Sequence, residues 1–214
     1  MTCAGSMTDT VRNDKPHMKK IAITGGIGSG KSYVCRMLAE RGIMVYDCDA
    51  AAKRLMRTST QLRDSLRRLV GNGVYTDDGK LCKRMLAEFI LQGEANKTAV
   101  NEVVHPAVAD DFLLSGLSWL ESAILFESGF DKRVDFDFIV CVTAPHELRL
   151  QRIMQRDNID RTRAEAWIDA QMPQDEMARR SDFCISNDGD SDKLRGQIDV
   201  LLRSVGWQTD VQNK

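Results

Sequence analysis

Apolar positions along this chain fall into short continuous runs separated by longer stretches of helical period. "KKIAIT" is a run of strand length that ends in a glycine-rich turn, and Lys31 to Arg41 follows with Val34, Met37 and Leu38 at helical spacing. Gly42 closes that helix and "IMVYD" reads as a second strand. Strand, helix and strand in this order predict a parallel sheet. From Ala50 to Val70 the pattern is helical, with Leu55, Leu62, Leu66 and Leu69 apolar. "GNGVYTDDGK" breaks it, and "LCKRMLAEFIL" and "ANKTAVNEVVHPAVADDFLL" read as two more helices. "SWLESAILFES" is a third strand candidate and "DFIVCVT" a fourth. A helix opens at "PHELRLQRIMQRD", two short helices break at Pro173, "DFCISN" is a fifth strand, and "DSDKLRGQIDVLLRSV" is a capped last helix. The fold class is α/β: a five-stranded parallel sheet flanked by helices, with the nearly all-helical stretch from Asp49 to Ser115 inserted between two strands.

Composition narrows the picture. The 214 residues suffice for one α/β domain and a subsidiary lobe, and 43% hydrophobic with 29% charged residues is an ordinary globular balance. A formal net charge of −1 argues against nucleic acid held by bulk positive charge, although a local basic patch stays open. The six cysteines, with no C-x-x-C pair, suit a reducing compartment, hence the cytoplasm, better than a disulfide framework or a zinc site. No apolar run is long enough to span a bilayer, so no membrane partner is expected. Residues 1–18 lack the apolar block of a secretory signal and read as a disordered leader or an expression remnant, with Met18 an alternative start.

The chemistry sits in the first turn. Gly25-Gly26-Ile27-Gly28-Ser29-Gly30-Lys31-Ser32 fits G-x-x-x-x-G-K-[ST] in full, between a strand and a helix as that motif requires. Its backbone N–H groups can point inward at phosphate oxygens, with the helix N-terminus behind them. Lys31 then reaches the β- and γ-phosphates of ATP, and the Ser32 hydroxyl reaches Mg²⁺. A chance glycine-rich turn is the bland alternative. Nucleotide binding does not fix the function, because switches, motors and small-molecule kinases share the loop. No N/T-K-x-D guanine motif is present, and "AILFE", ending in Glu127, matches a motor's acidic strand weakly. Length and the helical insert favour a kinase for a small molecule, with a nucleotide-gated binding protein as the rival of another class.

"VYDCDAAAKR" puts Asp47 and Asp49 past the second strand, where ligands bind in open parallel sheets. A kinase needs an acceptor for the substrate hydroxyl proton. Extended-chain alternation would aim one carboxylate at the site and one away, and either could instead cap the next helix. Arg149, Arg152 and Arg156 share a helix face that could close over phosphates as a lid, or pair with Glu147 and Asp157.

With these residues read, the chain resembles the dephospho-CoA kinase family from about Lys20 to the last helix. The likeness is carried by "AITGGIGSGKS", by "DCD" where the family has D-A-D, and by "GKLCKRMLAEFI" containing Arg84. It continues through His105-Pro106-Ala107-Val108, Gln155-Arg156-Asp157, Gln171-Met172 and "SDFCISN" ending in Asn187. The chain departs from the family at Ala123, Arg149 (commonly Gln) and Met177. The resemblance implies a P-loop kinase fold that transfers the ATP γ-phosphate to the ribose 3′-hydroxyl of dephospho-CoA, giving CoA and ADP. It implies a nucleotide-binding core at 19–49, 116–148 and 182–206, a helical CoA-binding lobe at 50–115 and a lid at 149–181. It also implies catalytic Lys31, Asp49 and Arg156, and ATP contacts from Gly26 through Ser32 and from Asn187. Substrate contacts would come from Asp49, Arg84 and His105, where Lys53, Arg54 and Arg57 could also meet phosphates.

Overall fold

The computed structural model describes residues 19–207; the leader expected at 1–18 lies outside them. Five strands, β1 (Ile21–Thr24), β2 (Val45–Asp47), β3 (Trp119–Glu121), β4 (Phe138–Thr143) and β5 (Phe183–Ser186), pair in parallel in the order β2-β3-β1-β4-β5. All five carboxyl ends therefore open on one edge of the sheet. The helices are α1 (Lys31–Ala39), α2 (Cys48–Thr58), α3 (Thr60–Val70), α4 (Lys83–Leu91), α5 (Glu94–Ser115), α6 (His146–Asp157), α7 (Arg161–Asp169), α8 (Gln174–Arg179) and α9 (Ser191–Ser204). No helix among the described residues is long and apolar enough to cross a membrane.

Strand alternation divides the core between the two sheet faces. Ile21, Ile23, Val140 and Val142 point toward α1 and α9, where they meet Val34, Leu38, Leu194, Ile198 and Leu201. Ala22, Leu120 and Cys141 point the other way, into a cluster completed by Leu55 of α2, Leu62 and Leu66 of α3, and the α5 stripe Val100, Val104, Val108 and Phe112. The helical insert thus shares its core with one face of the sheet, and its α2, α3 and α4 all pack on α5. A smaller cluster joins α6 to α7 through Leu150, Ile153, Ala164 and Ile168.

Two elements differ from the pattern. The helix read from Ala50 to Val70 is two helices, because Ser59 turns extended (φ −82°, ψ 114°) and its side chain accepts from Leu62 N at 3.2 Å, capping α3. The third strand stops at Glu121. Its apolar continuation folds into turns whose Leu125 and Phe126 are buried in the cluster beneath the helices. Pro106 lies inside α5 and does not end it, although it offers no N–H to the preceding turn.

Candidate active site

A cavity of about 930 Å³ opens at the carboxyl ends of β1, β2 and β3. Its walls are the phosphate loop, the start of α2, the end of β3, α6 and the loop before α9. Loop geometry comes from glycines at positive φ, of which Gly30 is the tightest: φ is +91°, and a Cβ there would lie 2.0 Å from Asn187 Nδ2. That amide donates to Ser29 O at 2.8 Å, so the strand-end Asn187 braces the loop while also lining the cavity.

Lys31 opens α1 and is 8% exposed. Its Nζ donates to Gly25 O at 2.7 Å and lies 3.9 Å from Glu121 Oε1. Burial lowers the Lys31 pKa, and the charges of Glu121 and Asp49 act against that. Burial likewise raises the Glu121 pKa, with Asp47 and Asp49 adding to the rise and Lys31 opposing it. The register explains the meeting: Glu121 is opposite Asp47 on β2 and Ile23 on β1, so the last residue of β3 lands between the acid pair and the loop.

Both aspartates line the cavity, unlike the alternation expected of an extended chain, because the helix begins at Cys48 and carries Asp49 round its first turn. Asp47 is the α2 N-cap, its Oδ1 accepting from Ala50 N at 2.9 Å. Among the described residues the Asp49 carboxylate has no hydrogen-bond or ion-pair partner, and its charge reaches Lys31, Glu121 and His105. The Ser32 hydroxyl is exposed to the same cavity.

The three arginines of α6 do different things. Arg149 is buried, with Nε donating to Ile27 O at 2.9 Å. Arg152 reaches Gly28 O (3.2 Å), Ser29 O (3.3 Å) and Asn187 Oδ1 (3.2 Å). Arg156 lines the cavity and pairs with Asp157 at 2.7 Å. Of the basic residues on α2, Lys53 lines the cavity, whereas Arg54 is bound to Asp111 at 2.5 Å.

Two expected substrate contacts stand apart from these walls. Arg84 lies on the outer side of α4, its Nε 3.9 Å from Glu88, because Leu86 is the residue that α4 turns inward. His105 is half-buried on α5; burial lowers its pKa, while the nearby Ser128 backbone and the charge of Asp49 oppose the shift. The sequence pattern points to Glu127 and not to Glu121. Glu127 accepts from Met172 N at 3.0 Å. An acid at the end of "SWLE" was the available signal.

The family model for dephospho-CoA kinase matches residues 19–193. A dephospho-CoA kinase of Bacteroides fragilis is 40% identical over 189 residues, covering 85% of this chain and 91% of its own length. Among solved structures, the protein TT1252 from Thermus thermophilus superposes with a TM-score of 0.74 at 33% identity, covering 88% of this chain and 98% of its own. A shikimate kinase from Acinetobacter baumannii, at 16% identity and a TM-score of 0.51 over 89% of this chain and 94% of its own, shares the fold.

Proposed function

The chain belongs to the dephospho-CoA kinase family, and from that premise we propose how its residues carry the ATP γ-phosphate to the ribose 3′-hydroxyl of dephospho-CoA, yielding CoA and ADP. The observation that carries the reading is the unpartnered Asp49 carboxylate, held in the same cavity as Lys31 and the phosphate loop. In the proposal, ATP phosphates occupy the loop from Gly26 to Ser32, and Lys31 exchanges the Gly25 carbonyl for β- and γ-phosphate oxygens. Asp49 orients the acceptor hydroxyl and takes its proton as the new O–P bond forms. Arg156 swings from Asp157 to the charge on the transferring group. Lys53, beside Asp49, meets an acceptor phosphate, and His105 supports the acceptor side through its coupling to Asp49. Arg84, also expected to meet the acceptor, lies on the outer surface of α4 beside Glu88.

Mg²⁺ fits these residues: the Ser32 hydroxyl faces the cavity, and Asp47, Asp49 and Glu121 share it. Among the described residues no three His, Cys, Asp or Glu side chains group closely enough to hold a cation, which suits an ion completed by ATP phosphates. Held by the Ser32 hydroxyl, it would supply positive charge against the ATP phosphates. The setting proposed is the cytoplasm, in keeping with free thiols at all five cysteines among the described residues.

The test is ADP release with dephospho-CoA, AMP, UMP, dTMP or shikimate as acceptor, with CoA identified by mass. Turnover is expected with dephospho-CoA. Turnover with only another acceptor would move the chain to a different kinase reaction, and ATP binding without ADP from any acceptor would make it a binding protein. A second expectation concerns the lid. Arg156→Ala should lower kcat by ~10-fold or more with little change in the KM for dephospho-CoA, because the guanidinium acts on transferring charge. Unchanged kcat with a raised KM would place Arg156 in binding alone.

A further inference from the structure

Ile27 is the tip of the phosphate loop, and its main chain is held on both sides by side chains far away in sequence. Its N–H donates to Gln171 Oε1 at 2.6 Å, from the turn after α7. Its carbonyl accepts from Arg149 Nε at 2.9 Å, from the first turn of α6. The turn carrying Gln171 is itself anchored, since Met172 N donates to Glu127 and Gln174 accepts from Ala144 N at 2.9 Å.

Arg149 is an unusual strut. It is 5% exposed, and no carboxylate among the described residues pairs with it. A buried guanidinium without an acid is costly unless an anion comes close to it. It also presses on the loop from behind. A Cβ on Gly26 would lie 2.5 Å from its Nη2, and a Cβ on Gly28 would lie 2.7 Å from its carbonyl oxygen. Its charge reaches through the loop to Lys31, where it adds to the lowering of that pKa. Two cations therefore flank one loop, with Glu121 as the nearest acid to Lys31.

We propose that Gln171 and Arg149 are positioning residues for nucleotide capture: they fix the Ile27 main chain by the N–H of one peptide and the C=O of the next, and Arg149 sets a buried positive charge behind the phosphate nest. A loop held in its binding shape before ATP arrives loses less freedom on binding. The inference rests on reading residues 25–32 as the nucleotide-phosphate loop.

The experiment is ATP titration of the full chain by calorimetry, with steady-state kinetics and melting curves, for Arg149→Met, Arg149→Gln, Arg149→Lys, Gln171→Met and a Lys31→Ala control. Arg149→Met and Gln171→Met should each weaken ATP by about 10-fold, the scale of one lost hydrogen bond to a charged or preorganised partner. The KM for dephospho-CoA should move by less than about threefold, because the acceptor side is untouched. Arg149→Lys should recover part of the ATP affinity by restoring charge. Arg149→Gln, a milder neutral change, secures the test if Arg149→Met does not fold, and should also bind ATP more weakly than the parent. Parent-like ATP affinity in folded Arg149→Gln and Gln171→Met, even with lower melting points, would reduce both residues to structural support and overturn the proposal. Equal ATP binding by the parent and Lys31→Ala would overturn the phosphate-loop reading itself, and the proposal with it.

Discussion

Lys31→Ala is expected to reduce phosphoryl transfer by ~10³-fold or more, on the scale of cationic side chains that act on a transferring phosphoryl group. The structure holds the lysine in one place. It is held by Gly25 O at 2.7 Å and sits 3.9 Å from Glu121, and it is nearly excluded from solvent. Burial of its charge is unfavourable, since desolvation lowers its pKa, and phosphate oxygens would add to the counter-charge that Glu121 supplies only in part. The alanine variant should also bind ATP more weakly. Its effect on folding combines two opposed changes, because loss of the lysine removes a buried charge but leaves Glu121 beside Asp47 and Asp49 without its cation. A melting curve therefore accompanies ADP release and nucleotide titration. Near-normal turnover in folded Lys31→Ala protein would sink the assignment of the loop.

The parts of this site that sequence revealed are the parts encoded locally. The loop signature depends on eight consecutive residues, and a strand before it with a helix after it suffices to place them. The short apolar runs of β1, β4 and β5 likewise report buried parallel strands. The overlong third strand shows where that signal fails. "AILF" is apolar because Leu125 and Phe126 fill the core beneath the helical insert, and a buried turn and a buried strand look alike in hydrophobicity. The same ambiguity hides Glu121, whose place in the site depends on β3 register against β1 and β2. The arginines of α6 show a different limit of spacing. Spacing puts them on one face, but the loop runs across that face. Arg149 lies beneath the loop tip, Arg152 holds its carbonyls and Arg156 lines the cavity, paired with Asp157. Gln171 could not be placed from spacing at all, since 144 residues separate it from the peptide it grips.

The aspartate pair gives the second large effect. Asp49→Asn is expected to lower turnover by ~10²-fold or more, the scale of a positioned general base, while ATP affinity changes little. Asparagine keeps the shape of the side chain but cannot take up the hydroxyl proton. The structure separates the two acids by what already occupies them. Asp47 is engaged at the α2 N-cap through Ala50 N at 2.9 Å, whereas Asp49 has no partner among the described residues and lies where its charge reaches Lys31. Asparagine caps a helix about as well as aspartate, so Asp47→Asn should melt near the parent and turn over with a milder loss. Asp47→Ala should in addition lose ~1 kcal/mol of stability, as a missing cap does. The measurement is kcat with saturating ATP and dephospho-CoA for Asp49→Asn, Asp47→Asn and Asp47→Ala, beside nucleotide titration and melting curves. A dead Asp47→Asn with a normal Asp49→Asn would exchange the two roles, making the capping residue the base. Normal turnover in both asparagine variants would remove the proton acceptor from this pair, leaving transfer to positioning and charge from Lys31 and Arg156.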